Sequence, residues 1–129
     1  MTLIRNILIL LCACFSSSAW AEGAHRYFDC RVTLLCNAAG VCASASEILS
    51  FHLAPLDADE SGSGSYTLSY LDQEVEMRSL SYAGPSVWQI GTVRHTLLAS
   101  SETKFLWHQL SLETQPTSSI RYLQCSLRF

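Results

Sequence analysis

The sequence predicts an all-β domain: a small antiparallel up-and-down barrel or strongly curled meander of about eight strands, closed by disulfides. Three observations predict it. Branched and aromatic residues fall in short runs separated by Gly, Pro, Ser and Asp, and helix signals are scarce. Several runs alternate apolar and polar residues, as half-buried strands do. Cysteines also stand near both ends of the chain that follows an apolar leader, so one bridge can join the first strand to the last.

The leader is read first. Residues 1–21 carry one positive charge (Arg5), an apolar run from Ile7 to Phe15 and the small-residue end Ala19-Trp20-Ala21. That is the pattern of a secretory signal peptide, with a mature chain starting at Glu22. The apolar run is shorter than the roughly 20 residues a membrane-spanning helix needs. No transmembrane segment is therefore expected after cleavage. Leu11-Cys12-Ala13-Cys14 also resembles a bacterial lipobox, so the alternative is an envelope lipoprotein anchored through Cys14. Either way the expected location is the periplasm or outside the cell.

Cleavage would leave Cys30, Cys36, Cys42 and Cys125. An even count in an exported chain implies disulfides, here with three connectivities. The intervening Asn37-Ala38-Ala39-Gly40-Val41 is turn-forming and brings Cys36 within reach of Cys42. Cys30 is then left for Cys125. Four cysteines without a Cys-x-x-Cys pair do not have the spacing of a zinc site.

The 129-residue chain is long enough for one domain, placed at residues 22–129. Strands are expected at about 26–35, 45–53, 65–71, 74–81, 86–91, 93–100, 104–112 and 119–128. Phe28, Cys30, Val32 and Leu34 share one face against Asp29, Arg31 and Thr33. Tyr66, Leu68 and Tyr70 alternate with Thr67 and Ser69, and Val75 and Met77 with Glu74, Glu76 and Arg78. The polar stretch from Pro55 to Gly64 reads as a loop, Ala83-Gly84-Pro85 and Gly91-Thr92 as turns, and residues 114–118 as another loop. Connections this short favour antiparallel neighbours in sequence order. Closing the meander removes its exposed edges. Eight strands enclose an interior that side chains fill or that holds one small ligand. Phe51, Trp88, Phe105, Trp107 and Tyr122 favour a filled interior.

The composition narrows the function classes. Charged residues make up only 15% and the formal net charge is −3, so the chain lacks the cationic footprint of a nucleic-acid binder. Its 49% hydrophobic content argues against disorder. No residue pattern implies a cofactor or a metal. His25, His52, His95 and His108 are not at metal-ligand spacing. A hairpin turning near Glu102 would set His95 opposite Gln109 and His108 opposite Thr96, with the two rings on opposite faces. No Gly-x-Ser-x-Gly elbow is present. Asp57, Asp59, Ser61 and Gly62 follow the start of a calcium loop, but its twelfth position is Leu68 and no helices flank it. Trp107 and Trp88 are candidates for lining a ligand site. Trp88 begins a strand after Gly84-Pro85, where an aromatic at the rim can touch a partner. The segment from Ser61 to Tyr66 is the other candidate contact, because protruding loops carry recognition.

The exported, cysteine-flanked, eight-strand plan resembles the bacterial membrane-bound inhibitors of C-type lysozyme. Ser61-Gly62-Ser63-Gly64-Ser65-Tyr66 is similar in composition to their Ser/Gly-rich loop. The resemblance implies a small barrel whose loop enters a lysozyme cleft. The family's Phe-Trp-x-Lys-Gly segment is absent, and Lys104 is the only lysine. The plan is also similar to short exported bacterial proteins with a Cys-x5-Cys-x5-Cys start and a cysteine near the end. The expected function is a non-enzymatic periplasmic binding or inhibitor module for an envelope protein, a glycan or a small apolar ligand. Its candidate contacts are Ser61, Gly62, Ser63, Gly64, Tyr66 and Trp88. The alternatives are a small periplasmic hydrolase using His95 or His108 with a nearby serine, and the lipoprotein anchored through Cys14.

Overall fold

The structure is a computed structural model that describes residues 25–128. The expected signal peptide and Cys14 lie outside the described residues. Nine strands follow in order: β1 (Arg26–Asn37), β2 (Cys42–Ser44), β3 (Ile48–Ala58), β4 (Gly64–Tyr70), β5 (Gln73–Ser79), β6 (Ser86–Ile90), β7 (Val93–Ala99), β8 (Lys104–Ser111) and β9 (Thr117–Arg128). The described residues contain no helix. Each strand from β3 to β8 pairs antiparallel with the next, and β1 pairs with both β3 and β9. Eight strands thus close into a barrel, and β2 is an extra strand on the end of β1.

The disulfides follow the predicted pairing. Cys30 and Cys125 face each other across the β1–β9 seam and are bonded. Cys36 and Cys42 are bonded across the β1–β2 turn, where the Asn37 side chain accepts bonds from the N–H groups of Ala39 and Val41. Asp29 and Arg128 add an ion pair at the outer face of the same seam.

Alternation sets the core. Phe28, Cys30, Val32, Leu53, Tyr66, Leu68, Tyr70, Met77, Leu97 and Leu123 are all buried inside. Two bulges break the simple pattern. Between Val32 and Leu34 the β1–β9 register shifts, so Leu34 pairs with outward-facing Tyr122 instead of continuing the inward row. A second shift between Pro55 and Asp57 leaves Leu56 without a partner in the β3–β4 ladder and 61% exposed, and it turns Ala58 inward. Because of that bulge β3 runs on to Ala58, and the expected loop shrinks to residues 59–63. Proline is tolerated there because a bulge does not require its missing N–H.

The middle of the barrel is filled by aromatic rings. Phe51, Phe105, Trp88 and Trp107 are buried as expected, whereas Tyr122 points outward and is 41% exposed. Trp88 stacks on His95 with ring centroids 5.0 Å apart, and Tyr70 and Phe51 meet Trp107 edge to face. The indole N–H of Trp88 donates to the Tyr70 hydroxyl at 3.0 Å. The indole N–H of Trp107 donates to Nδ1 of His95 at 3.1 Å. Both buried indole N–H groups therefore have a partner, as a low-dielectric interior requires.

Candidate ligand-binding pocket

The inward side chains become smaller toward one end of the barrel. Toward the end that holds the start of β1, the inward row of β5 passes from Met77 to Ser79, that of β6 from Trp88 to Ser86, and that of β7 from Leu97 to Ala99. Of these, Ala99 borders open space, whereas Ser79 and Ser86 are buried and hydrogen-bonded to each other at 2.9 Å. A cavity of about 840 Å³ lies there, between the β5–β6 loop at Tyr82 and Ala83 and the β7–β8 loop at residues 100–103. That volume is in the range of small-molecule sites, about 300–1,000 Å³. Phe28, Ala99, Phe105 and Leu127 give it apolar walls, and the rings of Phe28 and Phe105 meet edge to face at 5.0 Å. Backbone bonds hold both loops in place: Ala99 N donates to Ala83 O at 2.8 Å, and Cys125 N to Thr103 O at 2.7 Å.

Arg26 is the cation of this wall. Alternation along β1 sends it inward with Phe28 and Cys30, and it is 95% buried, with only 5% of its surface exposed. Its guanidinium carbon lies 4.9, 5.4 and 5.7 Å from the ring centroids of Tyr82, Tyr66 and Phe28. One nitrogen, Nη1, donates to the Tyr82 carbonyl at 2.9 Å. Nε and Nη2 are buried and have no hydrogen-bond partner among the described residues. Burial lowers the Arg26 pKa, and the neighbouring Tyr66 opposes that shift. The group nevertheless stays charged, because guanidinium cannot be deprotonated in proteins. Ring faces offset about 0.5–2 kcal/mol each. Desolvating an ion costs several kcal/mol even after relaxation. The rings and the Tyr82 carbonyl offset that cost in part or in full, but among the described residues the Nε and Nη2 donors stay unsatisfied. Glu102 also lines the cavity but makes no ion pair with Arg26.

The Ser/Gly segment builds this wall. Ser61 O accepts from Tyr82 N at 3.1 Å, and Gly62 O accepts from the Tyr66 hydroxyl at 2.8 Å. Gly62 has a φ of +81°, and a Cβ there would come within 2.6 Å of the Tyr82 ring. Gly64, at φ +141°, approaches Asp57 O so closely that a Cβ would overlap it. Both glycines are thus required by backbone shape and close approach. Two expected contact residues are elsewhere than predicted. Tyr66 has no exposed surface and Trp88 only 3%, so neither side chain stands at the rim. The cause is parity: both occupy inward positions of β4 and β6. Ser61 is exposed and Ser63 half-exposed, and Asp59 ties both by accepting from Ser61 Oγ and from both backbone N–H groups. The Ser61 hydroxyl, above all, holds the Asp59 carboxyl below the usual range.

The remaining chemical candidates do not converge. The β7–β8 register sets His95 opposite Gln109 and His108 opposite Thr96, as the sequence predicts, so the two rings lie on opposite faces. Among the described residues the only hydrogen bond on the His95 ring comes from Trp107, and burial lowers its pKa, with Arg121 adding to the effect. His25 and His52 meet at 3.1 Å on the outer surface. Among the described residues no three His, Cys, Asp or Glu side chains cluster as metal ligands. Trp107, with Tyr70 and Gln109, also borders a smaller hollow of about 270 Å³ at the opposite end. Arg26 and the small inward residues had a signal in the sequence, since the alternation that buries Phe28 and Met77 also assigns Arg26 and Ser79 inward. Tyr82 and residues 100–103 had none, because their position depends on how loops fold over the barrel. Comparison with protein families, curated proteins and solved structures finds no match to this chain.

Proposed function

We propose that this protein is an exported, non-enzymatic binding module that holds a small apolar ligand in the cavity at the Arg26 end of its barrel. The observation that carries the reading is the cavity of about 840 Å³ walled by Phe28, Ala99, Phe105 and Leu127. A barrel whose middle is packed with rings has no structural need for an apolar hollow at one end. Exposed apolar walls of this kind recur at ligand sites. The two disulfides are compatible with a periplasmic or secreted location, and the signal-like leader supports export. Among the described residues no helix is long and apolar enough to cross a membrane.

Native mass spectrometry of the protein purified from its own host, before and after denaturation, tests the reading. A bound small molecule that is lost on denaturation is expected. A bare chain under native conditions, and no uptake of apolar compounds added afterwards, would overturn it. The contact surface would then be sought on the Ser61–Tyr66 segment, as the lysozyme-inhibitor resemblance implies.

A further inference from the structure

We infer that the ligand carries one carboxylate on an apolar body, and that Arg26 binds that carboxylate. The inference rests on the proposed binding function and gives it a chemical class. Arg26 lines the cavity, is 95% buried and is held in place by the Tyr82 carbonyl through Nη1 alone. Nε and Nη2, the two nitrogens without a partner among the described residues, belong to the same edge of the guanidinium. That edge is the fork that grips a carboxylate with two parallel bonds. Among the described residues no carboxylate fills that fork: Arg26 is in neither of their two ion pairs.

The surroundings select the rest of the ligand. Ser100, Ser101, Glu102, Thr103 and Ser126 also line the cavity, but Phe28, Ala99, Phe105 and Leu127 have no polar side-chain atom to offer, so a second charge lying against these four would be stranded. A headgroup at Arg26 with a saturated or aromatic body along these walls satisfies both. Tyr82 is 42% exposed and stacks on the guanidinium, so its ring is the element that must shift to admit the headgroup.

The test is calorimetric titration of the oxidised protein with dodecanoate, dodecan-1-ol and acetate, each below its aggregation concentration. Dodecanoate is expected to bind at least about tenfold more tightly than dodecan-1-ol, the contrast a charge-assisted pair supplies. Acetate is expected to bind far more weakly than either. Arg26→Gln should bring dodecanoate to the level of dodecan-1-ol, and Arg26→Lys should keep part of the contrast. Should the variants fail to fold, the Arg26 Nε–H resonance of the unaltered protein gives the same answer, because it must move with dodecanoate and not with dodecan-1-ol. Equal affinities for acid and alcohol overturn the inference and leave the apolar pocket standing. No binding of either overturns both.

Discussion

Removing the two disulfides separately should cost unequal amounts, because they close loops of very different length. Cys30–Cys125 spans 95 residues and Cys36–Cys42 spans 6. The chain-entropy relation gives about 4.7 kcal/mol for the long loop and about 2.2 kcal/mol for the short one. The geometry adds to the difference. Cys30 and Cys125 are 3% and 4% exposed in the core at the β1–β9 seam, whereas Cys42 is exposed on the extra strand β2. Replacing both residues of a pair with Ala avoids leaving a free thiol. Urea unfolding at neutral pH, followed by tryptophan fluorescence, should show Cys30→Ala/Cys125→Ala losing about twice the stability that Cys36→Ala/Cys42→Ala loses. The long-loop variant should also lose hydrogen-exchange protection first along β1 and β9. Equal losses, or a larger loss from the short loop, would refute the argument that the 30–125 bridge closes the barrel.

Three further outcomes follow. His95 is buried neutral with its pKa below the ordinary value, so between that value and the unfolded value of about 6.5 the unfolded chain binds more protons. Stability is then full above pH about 6.5 and declines as pH falls through this window, and His95→Gln should flatten, without abolishing, the fall in urea midpoint between pH 7.5 and 5. His52, also shifted down, retains part of the slope; an unchanged slope would contradict the role given to His95. Gly62→Ala should cost about 2–4 kcal/mol in thermal unfolding, from a left-handed backbone and a clash with Tyr82. A loss under about 0.5 kcal/mol would show that the Ser61–Tyr82 contact is not fixed as described. Ala99→Leu should weaken dodecan-1-ol binding at least about tenfold while changing stability by less than about 1.5 kcal/mol. An unaltered affinity would place the ligand elsewhere.

How far the sequence carries the structure is seen best in particular strands. In the hairpin of β7 and β8, turn residues and alternation specify the partners of His95 and His108 without any tertiary information. Cysteine arithmetic identifies the closing seam in the same way. The bulges at Thr33 and Leu56 are illegible, because nothing in Val32-Thr33-Leu34 or Pro55-Leu56-Asp57 distinguishes an extra residue from a regular one. One such residue moved Leu34 to the outer face and Ala58 to the inner. Tyr122 was misplaced for a related reason: an aromatic residue alone does not reveal which face of β9 is inward, and only Leu123 and Cys125 beside it do. The candidate site was half legible. Alternation places Arg26 and Ala99 inside, yet the hollow they border appears only when eight strands are set around one axis. The Ser/Gly segment shows the opposite error. Its composition suggested a contact loop, and its glycines instead allow Tyr82 to lie against the chain and cover Arg26.

Ligand binding at the Arg26 end is tested most directly by mapping backbone amide shifts of the oxidised protein during titration with dodecanoate. The account predicts saturable shifts gathered at Arg26, Phe28, Tyr82, Ala99, Phe105 and Leu127, with the amides of Tyr70, Leu71 and Gln73 at the opposite end unmoved. Shifts concentrated at the opposite end, or no saturable shifts anywhere, would contradict it.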